Sequence, residues 1–248
     1  MKLTNYHEVI NDVIGDTPVV VAWSAMADAP SAMRRTLPNG TVLSFGSAGL
    51  IYQGGIVLFD TQSESLWSPF TRVGLTGAHV GTPLPPVQTV LTTWQAWKRR
   101  HPETSAFVHT EPLLRLNYEA NPAVPSAEYL QNQRLYYPVY GYDIGASPMK
   151  LKEPVFGVIG INGTAARAYP LKLLRETEGP FEDTLNGRAI RLNYDLSMDH
   201  LEAMDGDTAL LTETCFWINW VGVHPKTEVW QADKLNAPFA EEEIAPAQ

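Results

Sequence analysis

The sequence predicts a β-rich α+β protein of two pseudo-repeats of mostly antiparallel strands, with a Trp-rich helix in each. Three observations predict it. The skeleton Trp94-x-x-Trp97-x-x-x-His101-Pro102-x-Thr104 returns as Trp217-x-x-Trp220-x-x-x-His224-Pro225-x-Thr227. Such uncommon residues at identical spacing point to two copies of one ancestral unit. A second element, Asn11-Asp12-Val13-Ile14-Gly15-Asp16, is echoed by Glu182-Asp183-Thr184-Leu185-Asn186-Gly187. Each leads into a β-prone run, as a tight turn does before a strand. Finally, the first copy has a longer stretch between its two elements, and residues 40–80 there are patterned as additional strands.

Taken in order, residues 1–110 form pseudo-repeat one. Thr41 to Phe45 and Leu50 to Gln53 read as short strands separated by Gly46-Ser47-Ala48-Gly49, and Ile56 to Asp60 follows a turn at Gly54-Gly55. Leu66-Trp67 and Val73 to Thr76 extend the sheet. Thr89 to Arg100 reads as an amphipathic helix. Val90, Trp94 and Trp97 share a face, and Lys98-Arg99-Arg100 sits in the last turn, where cations favour the dipole. Pro102 ends it. Residues 111–152 are rich in Pro, Tyr and Asn with little periodicity, and their Tyr content argues for an ordered connection over a flexible linker. Pseudo-repeat two, residues 153–235, opens at Val155 to Ile161, turns at Asn162-Gly163 and returns through Thr164 to Tyr169. Residues 236–248 read as a frayed tail. The whole is expected to be one compact unit.

Composition narrows the function classes. A chain of 248 residues with 44% hydrophobic content is long enough for a sizeable core. A net charge of −9 argues against nucleic acid, which needs a basic surface. Arg34-Arg35 and Lys98-Arg99-Arg100 are the only compact basic clusters, and each reads as a solvated patch. The single cysteine, Cys215, excludes an internal disulfide and a Cys-based zinc site. No apolar run approaches the ~18 residues of a membrane span. The N-terminus has no signal-peptide pattern, and the compartment is left open.

The candidate chemistry lies in the region unique to the first copy. Asp60, Glu64 and Ser65 follow a strand, with Trp67 just after. Two carboxylates and a hydroxyl near an aromatic can hold a polar ligand or act as acid and base. The competing reading is a hairpin turn in which Asp60 bonds its own backbone. Ser47, between glycines, joins Asp60, Glu64 and Trp67 as a ligand-binding candidate, although Phe45 stands where a nucleophile elbow needs glycine. His7 and Asp12, with Glu8 nearby, are weak metal candidates, since their spacing misses the i, i+4 face. No cofactor is expected. His101 and His224, repeated before proline at helix ends, read as capping residues.

The string His7-Glu8-Val9-Ile10-Asn11-Asp12 with Gly15 and Pro18-Val19-Val20-Val21 resembles the uncharacterised family called domain of unknown function 3179. So do Phe45-Gly46-Ser47-Ala48-Gly49-Leu50, Phe59-Asp60, Ser65-Leu66-Trp67 and the first Trp-His-Pro element. Later, Asn162-Gly163, Arg167-Ala168-Tyr169-Pro170-Leu171 and Asp183 are similar to that family's hairpin and turn. The resemblance covers most of residues 3–107 and returns at 154–195. It implies a bacterial or archaeal protein, often exported, with no established activity. Members typically carry Cys-Pro-x-Cys after the first strand, where this chain has Trp23-Ser24-Ala25-Met26-Ala27-Asp28. Thiolate metal or redox chemistry is not available there, which weighs against catalysis.

The leading expectation is a non-catalytic binding or interaction domain with its ligand surface in residues 40–80. The alternatives are a hydrolase or transferase using Asp60 or Glu64 with Ser65, and a structural subunit of a larger assembly. The first copy reaches its Asn11 element with no room for a preceding hairpin, so the N-terminus is expected to be shortened. Its open sheet edge is then expected to recruit a protein partner, a second copy, or the connection 111–152.

Overall fold

The computed structural model describes residues 7–106, 127–161, 163, 165–177 and 179–231. Strands β1 (Val9–Ile14), β2 (Thr17–Ser24) and β3 (Ala29–Arg34) form an antiparallel meander. A second meander follows in β4 (Phe45–Tyr52), β5 (Gly55–Asp60), β6 (Leu66–Ser68) and β7 (Val73–Gly74). Strand β8 (Pro86–Val87) then returns to pair with β3, which closes sheet one around the inserted sheet two. Helix α1 (Trp94–Arg100) and, beyond residue 126, helix α2 (Ala127–Gln131) come next.

The second half nests in the same way. Strands β9 (Pro154–Ile159) and β10 (Ala166–Pro170) pair, and helix α3 (Leu171–Leu174) leads out of them. Sheet four is the meander β11 (Phe181–Leu185), β12 (Arg188–Asp195), β13 (His200–Asp205) and β14 (Thr208–Ala209). Strand β15 (Leu211–Phe216) then returns to β9, helix α4 (Trp217–Val223) follows, and β16 (Glu228–Val229) adds to β10. Sheet three thus has the order β15-β9-β10-β16, and its β10–β16 pair is parallel. No helix among the described residues is long and apolar enough to cross a membrane.

The expectation of an α+β protein of two pseudo-repeats is corrected here. The chain is β-rich with few helices, and its four small sheets stand in a propeller-like ring. The two turn elements open different objects. The one at Asn11 starts a sheet that closes only after sheet two, whereas the one at Glu182 starts a self-contained meander. What recurs is local. In both Trp-His-Pro elements the second Trp donates Nε1–H to the Thr Oγ1 at 2.9 Å, Trp97 to Thr104 and Trp220 to Thr227. The His ring stacks on that same Trp, with centroids 4.2 and 4.1 Å apart. The repeated residues therefore encode a helix stop. Thr93, whose Oγ1 accepts from the Ala96 amide, also starts α1 later than the Thr89 expected.

Equal local sequence does not give equal burial. Trp217 and Trp220 are each 2% exposed, while Trp97 is half-buried and Trp94 is 56% exposed. Helix α4 lies between sheet three and residues 127–151, where Trp217 Nε1–H donates to Ser147 Oγ at 3.0 Å. Gly157 on β9 leaves room for the Trp220 ring; a Cβ there would sit 2.1 Å from it. Within the connection, Tyr129 and Tyr137 are buried in the same core, and Lys152 Nζ donates to the Tyr129 and Arg134 carbonyls at 2.5 and 2.7 Å. Residues 111–126 of the expected connection, residues 107–110 before it, Asn162 and Thr164 of the expected hairpin, and residues 232–248 with the expected tail 236–248 lie outside the described residues.

Turns follow the expected chemistry. Asn186-Gly187 and Gln53-Gly54 both have positive φ at both positions and close two-residue hairpins, β11–β12 and β4–β5. The second turn falls one residue earlier than the expected Gly54-Gly55.

Three side-chain carboxamides stitch neighbouring parts together, each engaging both the N–H and the C=O of one residue. Asn11 on β1 takes Phe45 on β4, accepting from N at 2.9 Å and donating to O at 2.8 Å. Gln88 takes Thr212 on β15 at 3.1 and 2.8 Å. Gln53 takes Tyr140 at 2.9 and 3.0 Å and also donates to the Gly222 carbonyl. Through Asn11, strand β1 of sheet one is tied to β4 of sheet two. Gln53 is buried, whereas Asn11 and Gln88 are exposed. A carboxylate at position 53 would face two carbonyls without water. Gln53→Glu is therefore expected to cost about 1–3 kcal/mol, and Asn11→Asp well under that. Urea midpoints for the two variants check the ranking.

Candidate functional site

The sequence-derived candidates turn inward. Asp60 ends β5 with no exposed surface, and its carboxylate accepts from the Ser63 amide at 2.6 Å, Ser63 Oγ at 2.8 Å and Trp67 Nε1 at 2.9 Å. Burial pushes its pKa up, but these donors and His79 outweigh it and hold the carboxyl below its usual range. Ser65 is also fully buried, 2.8 Å from Ser63 Oγ, and Trp67 packs edge-on against Phe45. Glu64 is an exposed turn residue at φ 57°, its amide bonded to the Asp60 carbonyl. The structure joins Asp60, Ser65 and Trp67 in one turn. Ser47 lies elsewhere on β4, where its hydroxyl donates to Glu8 Oε2 at 2.6 Å. His7 is half-buried, and Asp12 Oδ1 accepts from the Val13 amide. Among the described residues no three His, Cys, Asp or Glu side chains converge as metal ligands.

A cleft of about 640 Å³ opens instead between α1 and sheet four. Val90, Trp97, Arg100 and His101 face it from one side, and Asp195, Met198, His200, Glu202 and Met204 from the other. Trp97 and His101, their rings tilted by 37° to each other, make the aromatic part of the first side. Arg100 reaches across to Asp195 at 3.5 Å and Glu202 at 3.7 Å. Asp195 Oδ1 accepts from Ser197 Oγ at 2.7 Å and from the Ser197 and Met198 amides, and these bonds keep its pKa low. His200, edge-on to Phe156, has its pKa lowered chiefly by burial. The hydroxyl in the cleft, on Thr212, is 2% exposed and already accepts from Gln88. Sequence reasoning missed this site because its walls come from residues 86–101 and 195–212. The i, i+4 pair Trp97 and His101 was the one local signal.

A second polar group lies in the core. Arg72 of sheet two forms an ion pair with Glu213 of sheet three, both side chains largely buried. A cavity of only about 10 Å³ beside it is lined by Glu213, Cys215, Asn219 and His224. Burial pushes the Glu213 carboxyl up against the opposing pull of Arg72, and pushes the Cys215 thiol well up, so that thiol is no nucleophile. Burial, then Arg72, lowers the His224 pKa to about 4, and its Nε2 is buried with no hydrogen-bond partner among the described residues. A depressed histidine pKa means the unfolded chain takes the proton more readily. The stabilisation is whole above the ordinary value of 6.5 and is lost as pH falls towards 4. Wild type is expected to lose up to about 3 kcal/mol across that window relative to His224→Gln. Urea titrations at stepped pH check it.

The family model described as protein of unknown function (DUF3179) matches residues 1–212. No curated protein and no solved structure matches the chain.

Proposed function

We propose, for a chain that belongs to the DUF3179 family, a non-catalytic binding role exercised in the cleft between α1 and sheet four. The observation that carries this reading is the cleft itself. About 640 Å³ of mostly apolar lining with a few convergent charged groups is the form small-molecule sites take. No free hydroxyl or thiol is presented among the described lining residues, since Thr212 is buried and engaged, and this favours binding over catalysis by a serine-, threonine- or cysteine-type nucleophile. Residues 40–80 support the role less well, because Asp60, Ser65 and Trp67 have no surface to offer a ligand. The test is ligand-observed NMR with a library of small amphiphiles on wild type, Trp97→Ala and Trp94→Ala. Binding that Trp97→Ala abolishes and Trp94→Ala retains is expected. A library with no Trp97-dependent binder would overturn the reading.

A further inference from the structure

We propose that the cleft selects an organic cation: an ammonium or amidinium group carried on an apolar, flat body. The inference rests on the binding role above and adds the ligand's chemical class. Asp195 and Glu202 bring two carboxylates to the cleft against the single guanidinium of Arg100. That guanidinium satisfies neither closely, since 3.5 and 3.7 Å are ion-pair distances too long for hydrogen bonds. The three donors to Asp195 all go to Oδ1, leaving Oδ2 with Arg100 as its neighbour. Both acids therefore keep acceptor capacity directed at the cleft. His200 adds an imidazole that burial keeps from protonating.

The apolar part of the site fits the same ligand. Trp97 offers the strongest ring for a cation, which the indole face attracts through its quadrupole. Its stack with His101 holds it in place, and its Nε1–H is engaged by Thr104. Met198 and Met204 face it with adaptable thioethers suited to a flat hydrocarbon body. The net charge of −9 raises the local concentration of cations over anions.

The experiment compares three probes with a common phenyl body: phenethylammonium, phenylpropionate and 2-phenylethanol. Affinities are measured by NMR titration at pH 8, above the ordinary histidine range. The cation is expected to bind about tenfold more tightly than the neutral alcohol, with the anion weakest. Glu202→Gln and Asp195→Asn should each weaken the cation several-fold, and Arg100→Gln should strengthen it. Circular dichroism confirms that each variant is folded. If the alcohol or the anion binds as tightly as the cation in a Trp97-dependent way, the cation assignment falls and the binding role stands. If no probe binds in a Trp97-dependent way, the cation assignment falls and the binding role loses its support.

Discussion

Trp220→Ala is expected to destabilise the protein by about 3–5 kcal/mol, while Trp94→Ala shifts stability by no more than about 0.5 kcal/mol. The two residues hold different positions in elements of the same sequence pattern, and they differ most in burial. Trp220 is 2% exposed, its ring fills the space left by Gly157, and its indole N–H is bonded to Thr227. Truncation would leave a cavity in the core around Val155 and Phe216 and remove the donor to Thr227 Oγ1, which keeps its bond to the Ala166 carbonyl. Trp94 has over half its surface in water and little burial to lose. Urea unfolding of both variants gives the difference directly, and near-equal losses would show that burial does not set the cost.

Arg72→Met is expected to be comparably severe, at about 3–5 kcal/mol, because it leaves Glu213 buried without its cation. The surrounding lining of Cys215, Asn219 and His224 supplies no replacement cation, since burial keeps His224 neutral. The double variant Arg72→Met, Glu213→Leu removes both charges and should recover most of that loss, as an apolar pair often substitutes for a buried ion pair without penalty. A double variant as unstable as the single one would assign the cost to lost packing of the arginine stem. The pair joins sheets two and three, so the same comparison reports on how firmly the ring is held across that seam.

The local grammar of this fold was legible in the sequence. Asn186-Gly187 has the chemistry of a hairpin turn and makes one, and the β-prone run after Asn11 to Asp16 is strand β2. Sheet assignment was not legible, because pairing between β3 and β8, or between β9 and β15, joins segments far apart in sequence. Neither register nor partner is written in a short window. The Trp-His-Pro recurrence misled for a physical reason: five matched residues specify a helix stop, and the neighbours alone decide which tryptophans are buried. Asp60, Ser65 and Trp67 do come together, but in a closed turn: Trp67 and Ser63 donate to Asp60, and Ser63 links Ser65 to it. In the cleft, His200 and Glu202 sit on an ordinary strand, and only the arrival of α1 opposite makes them a site.

The nesting of one sheet inside another also fixes an order of events for a chain that folds. Sheets two and four are built from consecutive strands, so each loop that closes them is short and its entropic cost small. Sheets one and three gain β8 and β15 across a longer stretch of chain, which costs more entropy unless the intervening meander has already folded. The inner meanders thus act as folded spacers that shorten the effective distance between the ends of the outer sheets. In pulsed hydrogen exchange during refolding, amides of β12 should gain protection before those of β15. Simultaneous protection would mean that both sheets consolidate in one step.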